Sequence, residues 1–172
     1  MAKYTFKNGD TLEMKALKHS AFASEETHCY EAKLYFNGKP FALASNAGHG
    51  GADYYEPIGN FTHLHIRGVA DRCRDEMPKW EMCGDTHDTT LEIWCGESVN
   101  DLLALKEMKK LLRSRILYQD PEDKSGVYQL TFKNTRQITK QHIEYVARKY
   151  PSYVVLNSMS ESEAFGIFKN QA

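Results

Sequence analysis

The chain has 172 residues, of which 41% are hydrophobic and 12% aromatic, which is enough apolar material for a packed globular domain and excludes a disordered or low-complexity protein. Its formal net charge is −1, which argues against a dedicated nucleic-acid binder because such proteins carry strongly basic surfaces. It contains no run of about 18 apolar residues, so it predicts no transmembrane helix.

The charge is distributed unevenly along the chain. Residues 1–100 carry 10 Lys/Arg against 15 Asp/Glu, whereas residues 101–172 carry 12 against 8. This asymmetry permits a basic face in the C-terminal part, although a solvated helix face explains it equally well. The first residues lack the apolar stretch of a signal peptide, so we expect a cytoplasmic protein. Its four cysteines are then free thiols or metal ligands rather than a disulfide framework.

Two β-hairpins are predicted at the start of the chain. Strand-like alternation over 3–7 and 11–16 flanks Asn8-Gly9-Asp10, and the same pattern over 29–36 and 41–45 flanks Asn37-Gly38. Asn-Gly between two such runs is a strong hairpin signal. The small and polar residues 19–27 predict a loop or a short helical turn.

A glycine-rich segment, Asn46-Ala47-Gly48-His49-Gly50-Gly51, follows the second hairpin. Glycines permit positive φ and close approach of the backbone to a neighbour, so the segment is a turn, a contact surface or a catalytic loop. As a contact surface, it would present Gly48, His49 and Gly50 together with the neighbouring Tyr54 and Tyr55. It lacks the Gly-Lys-Ser/Thr ending of a phosphate-binding loop.

In the catalytic alternative, His49 is a general base whose imidazole is oriented by Asp53, with His63 or His65 nearby. The chain contains no Gly-x-Ser-x-Gly elbow, no His-Glu-x-x-His pair and no deaminase signature. The absence of these motifs favours a protein that is not an enzyme. The alternative of a small enzyme or ligand-binding protein centred on the glycine-rich segment stays open.

The middle of the chain, residues 52–97, is interpreted as an insertion. We expect an ordered but irregular connection over 52–59, a helix from about Asn60 that ends at Met77-Pro78, and two short strands around an exposed loop over 83–88. Residues 61–100 carry 8 acidic against 4 basic groups. Asp85 and Asp88 can therefore face a basic channel of a partner, and a solvated surface is the alternative.

Aromatic residues flank this acidic loop. Trp80 and Trp94 are candidate interface anchors if they are exposed, and core residues if they are not. Cys83 and His87 have the spacing of one pair of zinc ligands, which Cys73 and Cys95 can complete. No Cys-x-x-Cys or His-x3-His pair supports that site, so no cofactor is expected apart from this weakly indicated structural zinc.

The C-terminal part predicts a long helix from Ser98 to about Ser114, with an apolar stripe and a basic opposite face. Nucleic-acid binding through Lys109, Lys110, Arg113 and Arg115 is a weaker alternative for that face. The elements that follow are two strands over 115–119 and 127–133 joined through 120–126, a helix from Thr139 to Pro151, a strand over 153–156, and a closing helix after the Ser160–Glu163 capping box.

Together these patterns predict an α+β fold. N-terminal antiparallel hairpins and the middle helix and loop insertion occupy residues 1–97. A C-terminal β-β-α-β-α unit packed on the long helix occupies residues 98–172. We expect both parts to belong to one compact domain of unknown oligomeric state.

Four stretches resemble a family of uncharacterised bacteriophage and prophage accessory proteins. They are 4–10, 44–51, 108–117, and 155–157 together with 163–165. That family has no established activity, so the resemblance supplies no catalytic residues. It implies a cytoplasmic protein that binds and inhibits a host defence or nucleic-acid-processing protein, in the manner of anti-CRISPR or anti-restriction proteins, without catalysis. The expected partner is a host protein, with a defence nuclease complex as one candidate, whereas direct nucleic-acid binding and a membrane are not expected.

Overall fold

The computed structural model describes residues 2–123 and 126–170, and it combines helices with antiparallel sheets. The predicted α+β fold is therefore confirmed. The chain divides into two compact units, Met1–Leu102 and Leu103–Ala172. The predicted connection over 120–126 includes Lys124 and Ser125, which lie outside the described residues. Across the described ranges, no helix has both the length and the apolar character needed to cross a bilayer.

Unit 1 is built on a five-stranded antiparallel sheet. Its strands follow each other in chain order: β1 (Lys3–Thr5), β2 (Thr11–His19), β3 (Cys29–Phe36), β4 (Lys39–Ala47) and β5 (Tyr54–Pro57). Both predicted hairpins are present. Asn37 and Gly38, with φ of 49° and 75°, form the second turn, and these are the left-handed values that a two-residue hairpin turn requires. The segment 19–27 contains a short 3₁₀ turn, Ala21–Ala23.

Strand β5 corrects the prediction of an irregular connection over 52–59. It pairs with β4 in antiparallel register, with Tyr54 opposite Ser45 and Pro57 opposite Ala42. Proline is tolerated because β5 is an edge strand. No further strand pairs with its outer side, so an N–H that is missing there removes no hydrogen bond of the sheet. Four residues are too few to show an alternating pattern. The strand is recognised only in the structure, where it pairs with β4.

Helix α1 (His63–Glu76) follows the sheet. The N–H of Thr62 donates to Nδ1 of His65 at 3.1 Å, which closes a capping box at the start of the helix. Ile66, Val69 and Cys73 recur at helical spacing and are buried. The helix ends at Met77, before Pro78, as predicted.

A short hairpin of β6 (Trp80–Met82) and β7 (Asp85–His87) forms a two-stranded sheet of its own. Two strands were predicted here, but the turn consists of Cys83 and Gly84 alone, and Asp85 lies on a strand rather than in a loop. This corrects the predicted loop over 83–88.

Helix α2 (Leu91–Ser114) begins seven residues before the predicted start at Ser98. Leu91, Trp94, Cys95 and Ser98 are buried at the i, i+3, i+4 and i+7 spacing of a helix. Residues 91–95 include an isoleucine and a tryptophan, which are typical of strands, and burial outweighs that local preference. The division between the compact units falls within this helix, at Leu102/Leu103.

Unit 2 has a three-stranded sheet in the order β10-β8-β9 with two further helices. Its elements are β8 (Ile116–Gln119), β9 (Tyr128–Leu130), α3 (Lys140–Lys149), β10 (Val154–Val155) and α4 (Glu161–Lys169). Thr139 caps α3, and the predicted Ser160–Glu163 capping box opens α4. Met108 of α2 packs with Leu117, Leu156 and Phe165 in the core of this unit.

Candidate functional site

The glycine-rich loop after β4 is held by the segment that precedes β3. The carbonyl oxygen of Gly48 accepts hydrogen bonds from the N–H groups of Glu25 (2.9 Å), Glu26 (3.0 Å) and Thr27 (3.3 Å). Gly48 has φ +91°, and a Cβ atom added to it would lie 2.0 Å from the carbonyl oxygen of Ala23. Glycine is therefore required at this position by the approach of another backbone.

Asn46 organises the rest of the loop. Its Nδ2 donates to the carbonyl oxygen of Gly51 (2.8 Å) and to Oδ1 of Asp53 (3.0 Å). Its Oδ1 accepts from the N–H of Gly48 (2.8 Å) and from Oγ1 of Thr27 (2.8 Å). The N–H of Gly50 donates to the same threonine hydroxyl at 3.3 Å. The amides of Gly48 and Gly50 thus donate to the protein itself, which disfavours the use of this loop as an anion cradle.

His49 and Asp53 have different partners. Nδ1 of His49 lies 3.1 Å from Oε2 of Glu25, and both side chains are exposed. Such a solvent-exposed pair contributes little to stability. Oδ2 of Asp53 accepts from the hydroxyls of Tyr30 (2.5 Å) and Tyr55 (3.1 Å). The predicted orientation of the His49 imidazole by Asp53 therefore does not match the observed hydrogen bonds.

The two other candidate histidines lie at the exposed start of α1. His65 uses Nδ1 to cap that helix, and His63 is its first residue. In the structure both histidines therefore belong to the N-terminus of α1.

The tyrosines that bind Asp53 belong to a polar cluster in which Tyr30 and Cys95 are buried and Asp53 and Tyr55 are half-buried. Burial, reinforced by the neighbouring Cys95 and Asp53, raises the pKa of Tyr30 and of Tyr55. Burial also raises the pKa of the Cys95 thiol. A protonated thiol is a poor nucleophile, so the cluster is not suited to nucleophilic chemistry. It instead connects β3, β5 and α2, which carry Tyr30, Tyr55 and Cys95. The sequence offered no motif for this cluster because its members are far apart in the chain.

The acidic hairpin β6–β7 is the most exposed element of unit 1. Every residue from 81 to 88 is exposed, and Met82 exposes 50% of its surface. A hydrogen bond from Lys79 lowers the pKa of Asp88 and keeps that carboxylate charged. The ring centroids of Trp80 and His87 are 6.3 Å apart across the two strands. This element therefore presents carboxylates and an apolar tip to the solvent.

The remaining predicted contact residues differ in accessibility. Tyr54, Gly50 and Asp85 are exposed. Gly48 is buried and Tyr55 is half-buried. Trp94, a predicted anchor, is only 8% exposed and belongs to the core.

The candidate zinc ligands lie in different environments. Cys73 and Cys95 are buried on helices, whereas Cys83 and His87 are exposed on the hairpin. Burial raises the pKa of Cys73 to about 12, which disfavours the thiolate that metal binding needs. Within 2–123 and 126–170, no group of three or more His, Cys, Asp or Glu side chains is placed to hold a metal ion.

The candidate nucleic-acid residues lie in unit 2 at the end of α2. Nζ of Lys109 pairs with Oε2 of Glu161 at 2.7 Å. Arg115 donates to the side chain of Gln129. Lys110 and Arg113 are exposed on the helix. Two of the four cations therefore engage groups of the protein itself.

An apolar groove in unit 1 was not predicted from the sequence. It has a volume of about 400 Å³. Its lining comes from the sheet, from Phe61 two residues before α1, and from α1: Phe36, Phe41, Phe61, Leu64, His65, Gly68, Val69 and Arg72. The signal in the sequence is the aromatic character of Phe36, Phe41 and Phe61, but local patterns place these residues on two strands and near a helix and do not show that they meet.

Comparison of the chain with known protein families, with curated proteins and with solved structures finds no match. The fold defines an α+β protein with an exposed acidic hairpin and an apolar groove in unit 1. Its function is therefore inferred from the geometry of its own residues.

Proposed function

We propose that this protein is an accessory protein of the phage type that binds and inhibits a host defence or nucleic-acid-processing protein in the host cytoplasm, without catalysis. The observation that carries the proposal is the β6–β7 hairpin, which forms a separate two-stranded sheet with residues 81–88 all exposed. An exposed two-stranded ribbon of this kind can insert into a channel of a partner protein.

The charge of unit 1 supports a basic partner. Residues 1–102 carry 16 Asp/Glu against 10 Lys/Arg, a balance of −6. Nucleic-acid channels are lined by Lys and Arg, and an acidic surface accelerates encounter with them and opposes association with acidic proteins. Asp88 is held by Lys79, so Glu81 and Asp85 are the hairpin carboxylates that we assign to the partner. Met82 adds an apolar contact at the tip.

The arrangement of the other candidates supports binding over catalysis. His49 pairs with an exposed glutamate, and the buried Cys95 thiol is kept protonated by its raised pKa. Neither residue has the environment of an activated base or nucleophile. Inhibition would then follow from occlusion of the partner's channel.

The test is capture of host proteins by the tagged chain, followed by kinetics with the captured partner. We expect Asp85→Lys and Glu81→Lys to slow association by about tenfold at low ionic strength, and added salt to reduce the difference. Glu97→Lys is the matched control, because it reverses an exposed carboxylate of the same unit on α2. Equal association rates for the wild type and both hairpin variants would contradict the proposal, as would an equal loss in the Glu97 control.

A further inference from the structure

Phe22 is the most exposed large apolar residue in the part of the chain that the structure describes. Its side chain is 99% exposed, and it lies at the centre of the 3₁₀ turn Ala21–Ala23 that joins β2 to β3. A single exposed apolar residue needs no explanation by itself. Its meaning therefore depends on whether the molecule also offers a site that an aromatic ring can fill.

The turn that carries Phe22 is fixed by hydrogen bonds. Oγ of Ser24 donates to the carbonyl oxygen of Ser20 at 2.8 Å and accepts from the N–H of Cys29 at 2.9 Å. The neighbours of Phe22 on both sides are alanines, whose small side chains let another surface approach the ring. A ring on a fixed turn loses little conformational freedom when it is buried by a partner.

The apolar groove of unit 1 has the size and the lining of a site for such a ring. Its volume of about 400 Å³ falls within the range of about 300–1,000 Å³ that is typical of ligand sites. The rings of Phe36 and Phe41 meet edge to face with centroids 6.3 Å apart, and those of Phe41 and Phe61 do so at 6.2 Å. Aromatic rings prefer this arrangement, so a further ring can continue it. A Cβ atom added to Gly68 would meet nothing within 4 Å, which leaves this side of the groove open.

The polar groups that line the groove already have partners. The guanidinium of Arg72 pairs with Asp10 at 2.7 Å and with Glu76 at 2.6 Å. Nδ1 of His65 accepts from the N–H of Thr62 at the start of α1. A charged occupant would therefore lose its hydration without gaining a new ion pair, which favours an uncharged aromatic side chain such as that of Phe22.

Phe22 cannot fill the groove of its own chain. The turn that carries it is bonded to Cys29, the first residue of β3, whereas Phe36, the last residue of β3, lines the groove. These two ends of the strand lie about 23 Å apart at about 3.3 Å per residue. A phenylalanine side chain does not span this distance, so the ring and the groove meet only between two copies of the chain.

The charges beside the two surfaces favour such a contact. Glu25 and Glu26 follow the turn of Phe22, whereas Arg67 precedes Gly68 at the groove, and these three charged side chains are exposed. The acidic residues of α1 pair with arginines of the same helix: Asp71 and Asp75 with Arg74, and Glu76 with Arg72. Opposite charges thus flank the ring and the groove, which assists their encounter.

We infer that Phe22 of one copy of this chain inserts into the apolar groove of a second copy. Two such contacts related by a two-fold axis close a dimer, whereas single contacts repeated head to tail extend a longer assembly. Because one ring and its surroundings form a small interface, we expect weak association with a dissociation constant of about 100 µM. The inference goes beyond the proposed inhibition of a host protein and does not rest on it, since it concerns neither the β6–β7 hairpin nor a host partner.

The first test is sedimentation velocity of the purified full-length chain. We expect the weight-average sedimentation coefficient to rise between about 10 µM and about 500 µM protein. Phe22→Ala removes the ring and Gly68→Leu fills the groove, and each should weaken self-association by about tenfold or more. A sedimentation coefficient of the wild type that does not change with concentration would overturn the inference, as would unchanged association of either variant.

Two matched controls accompany these variants. Tyr54→Ala removes another exposed aromatic residue of unit 1, on β5. Gly68→Ala adds only a Cβ atom in open space and stabilises the helix. Both should associate within about twofold of the wild type. An equal loss in Tyr54→Ala would show that association follows exposed apolar surface in general, which would overturn the assignment to Phe22.

The second test asks whether the ring and the groove bind each other. In a mixture, ¹⁵N-labelled Phe22→Ala protein has an open groove, and unlabelled Gly68→Leu protein supplies the ring. We expect saturable amide NMR shifts over residues 61–72 of the labelled chain, and shifts over residues 20–27 when the labelling is exchanged. Unlabelled protein with both substitutions should cause neither set of shifts. If the two single variants do not bind each other in the mixture, the inference is wrong even where each substitution alone reduces self-association.

Discussion

Substitution of Gly48 by alanine should destabilise unit 1 more than any other change in the glycine-rich loop. Gly48 has φ +91°, and its added Cβ atom would lie 2.0 Å from the carbonyl oxygen of Ala23 and 2.9 Å from Cβ of Cys29. Real Cβ atoms do not approach backbone oxygens so closely. The loop or the 3₁₀ turn at Ala21–Ala23 must therefore move.

The magnitude follows from two costs. A non-glycine residue at left-handed φ costs about 1–3 kcal/mol. Movement of the loop also weakens the three hydrogen bonds that the Gly48 carbonyl accepts from residues 25–27, each with a net contribution of about 1 kcal/mol. We expect a total loss of about 3–5 kcal/mol, against the 5–15 kcal/mol that is typical of whole domains.

Denaturation in urea, followed by tryptophan fluorescence, measures this loss of stability in unit 1, where Gly48 lies. Trp80 and Trp94 are the only tryptophans, and both belong to unit 1. Trp94 is buried, so its emission changes when the unit unfolds. The shift of the midpoint at constant slope gives the change in the free energy of unfolding.

Gly51→Ala is the control in the same loop. Its φ is not left-handed and an added Cβ atom meets nothing within 4 Å, so the change should stay within about 0.5 kcal/mol. Gly50→Ala should fall between the two, because Gly50 has φ +79° but its added Cβ atom would meet only the side chain of Glu26, whose carboxylate can move away. A loss below about 1 kcal/mol for Gly48→Ala, or an equal loss for Gly51→Ala, would refute the reasoning.

Two further predictions concern titration and thiol reactivity. Hydrogen bonds from Asn37 and Arg72, with a further one from Asn8, lower the pKa of Asp10 to about 2. The contribution of the Asp10 carboxylate to folding stability is therefore complete above its ordinary pKa of 3.8 and is lost as the pH falls toward 2. Carboxyl NMR should show the titration midpoint of Asp10 rising in Asn37→Ala. A midpoint near 3.8 in the wild type would contradict this assignment. In thiol labelling of the native protein, exposed Cys83 should react at once, whereas buried Cys73, with its pKa raised to about 12, should react only on unfolding. Immediate labelling of Cys73 would show that unit 1 opens readily.

Short-range chemistry accounts for the parts of the fold that the sequence predicted well. The turn at Asn37-Gly38 is specified by two residues that tolerate left-handed φ. The start of α4 is specified by Ser160 and Glu163, which bond each other's backbone N–H groups. The end of α1 is specified by Pro78, which excludes helical geometry for the residue before it. Each of these signals lies within four residues.

Predictions that depended on distant partners were less successful. The sequence predicts two short strands around the 83–88 loop and a helix only from Ser98, whereas residues 91–97 are helical because one face of α2 is buried. Strand β5 exists because β4 offers it an edge. The predicted pairing of His49 with Asp53 used proximity in sequence, whereas Tyr30, 23 residues away, is the closer partner of Asp53.

The sequence by itself thus determined the hairpin turns, the helix caps, the α+β class and the existence of a glycine-rich loop, because these depend on the conformational preferences of adjacent residues. Only the tertiary structure decided which side chains meet. It placed Gly48 against Ala23, enclosed Asp53 between two tyrosines, and brought three phenylalanines together beside Gly68 to form the groove. Such contacts join segments that are far apart in the chain, and their energies depend on burial and distance that no local pattern encodes.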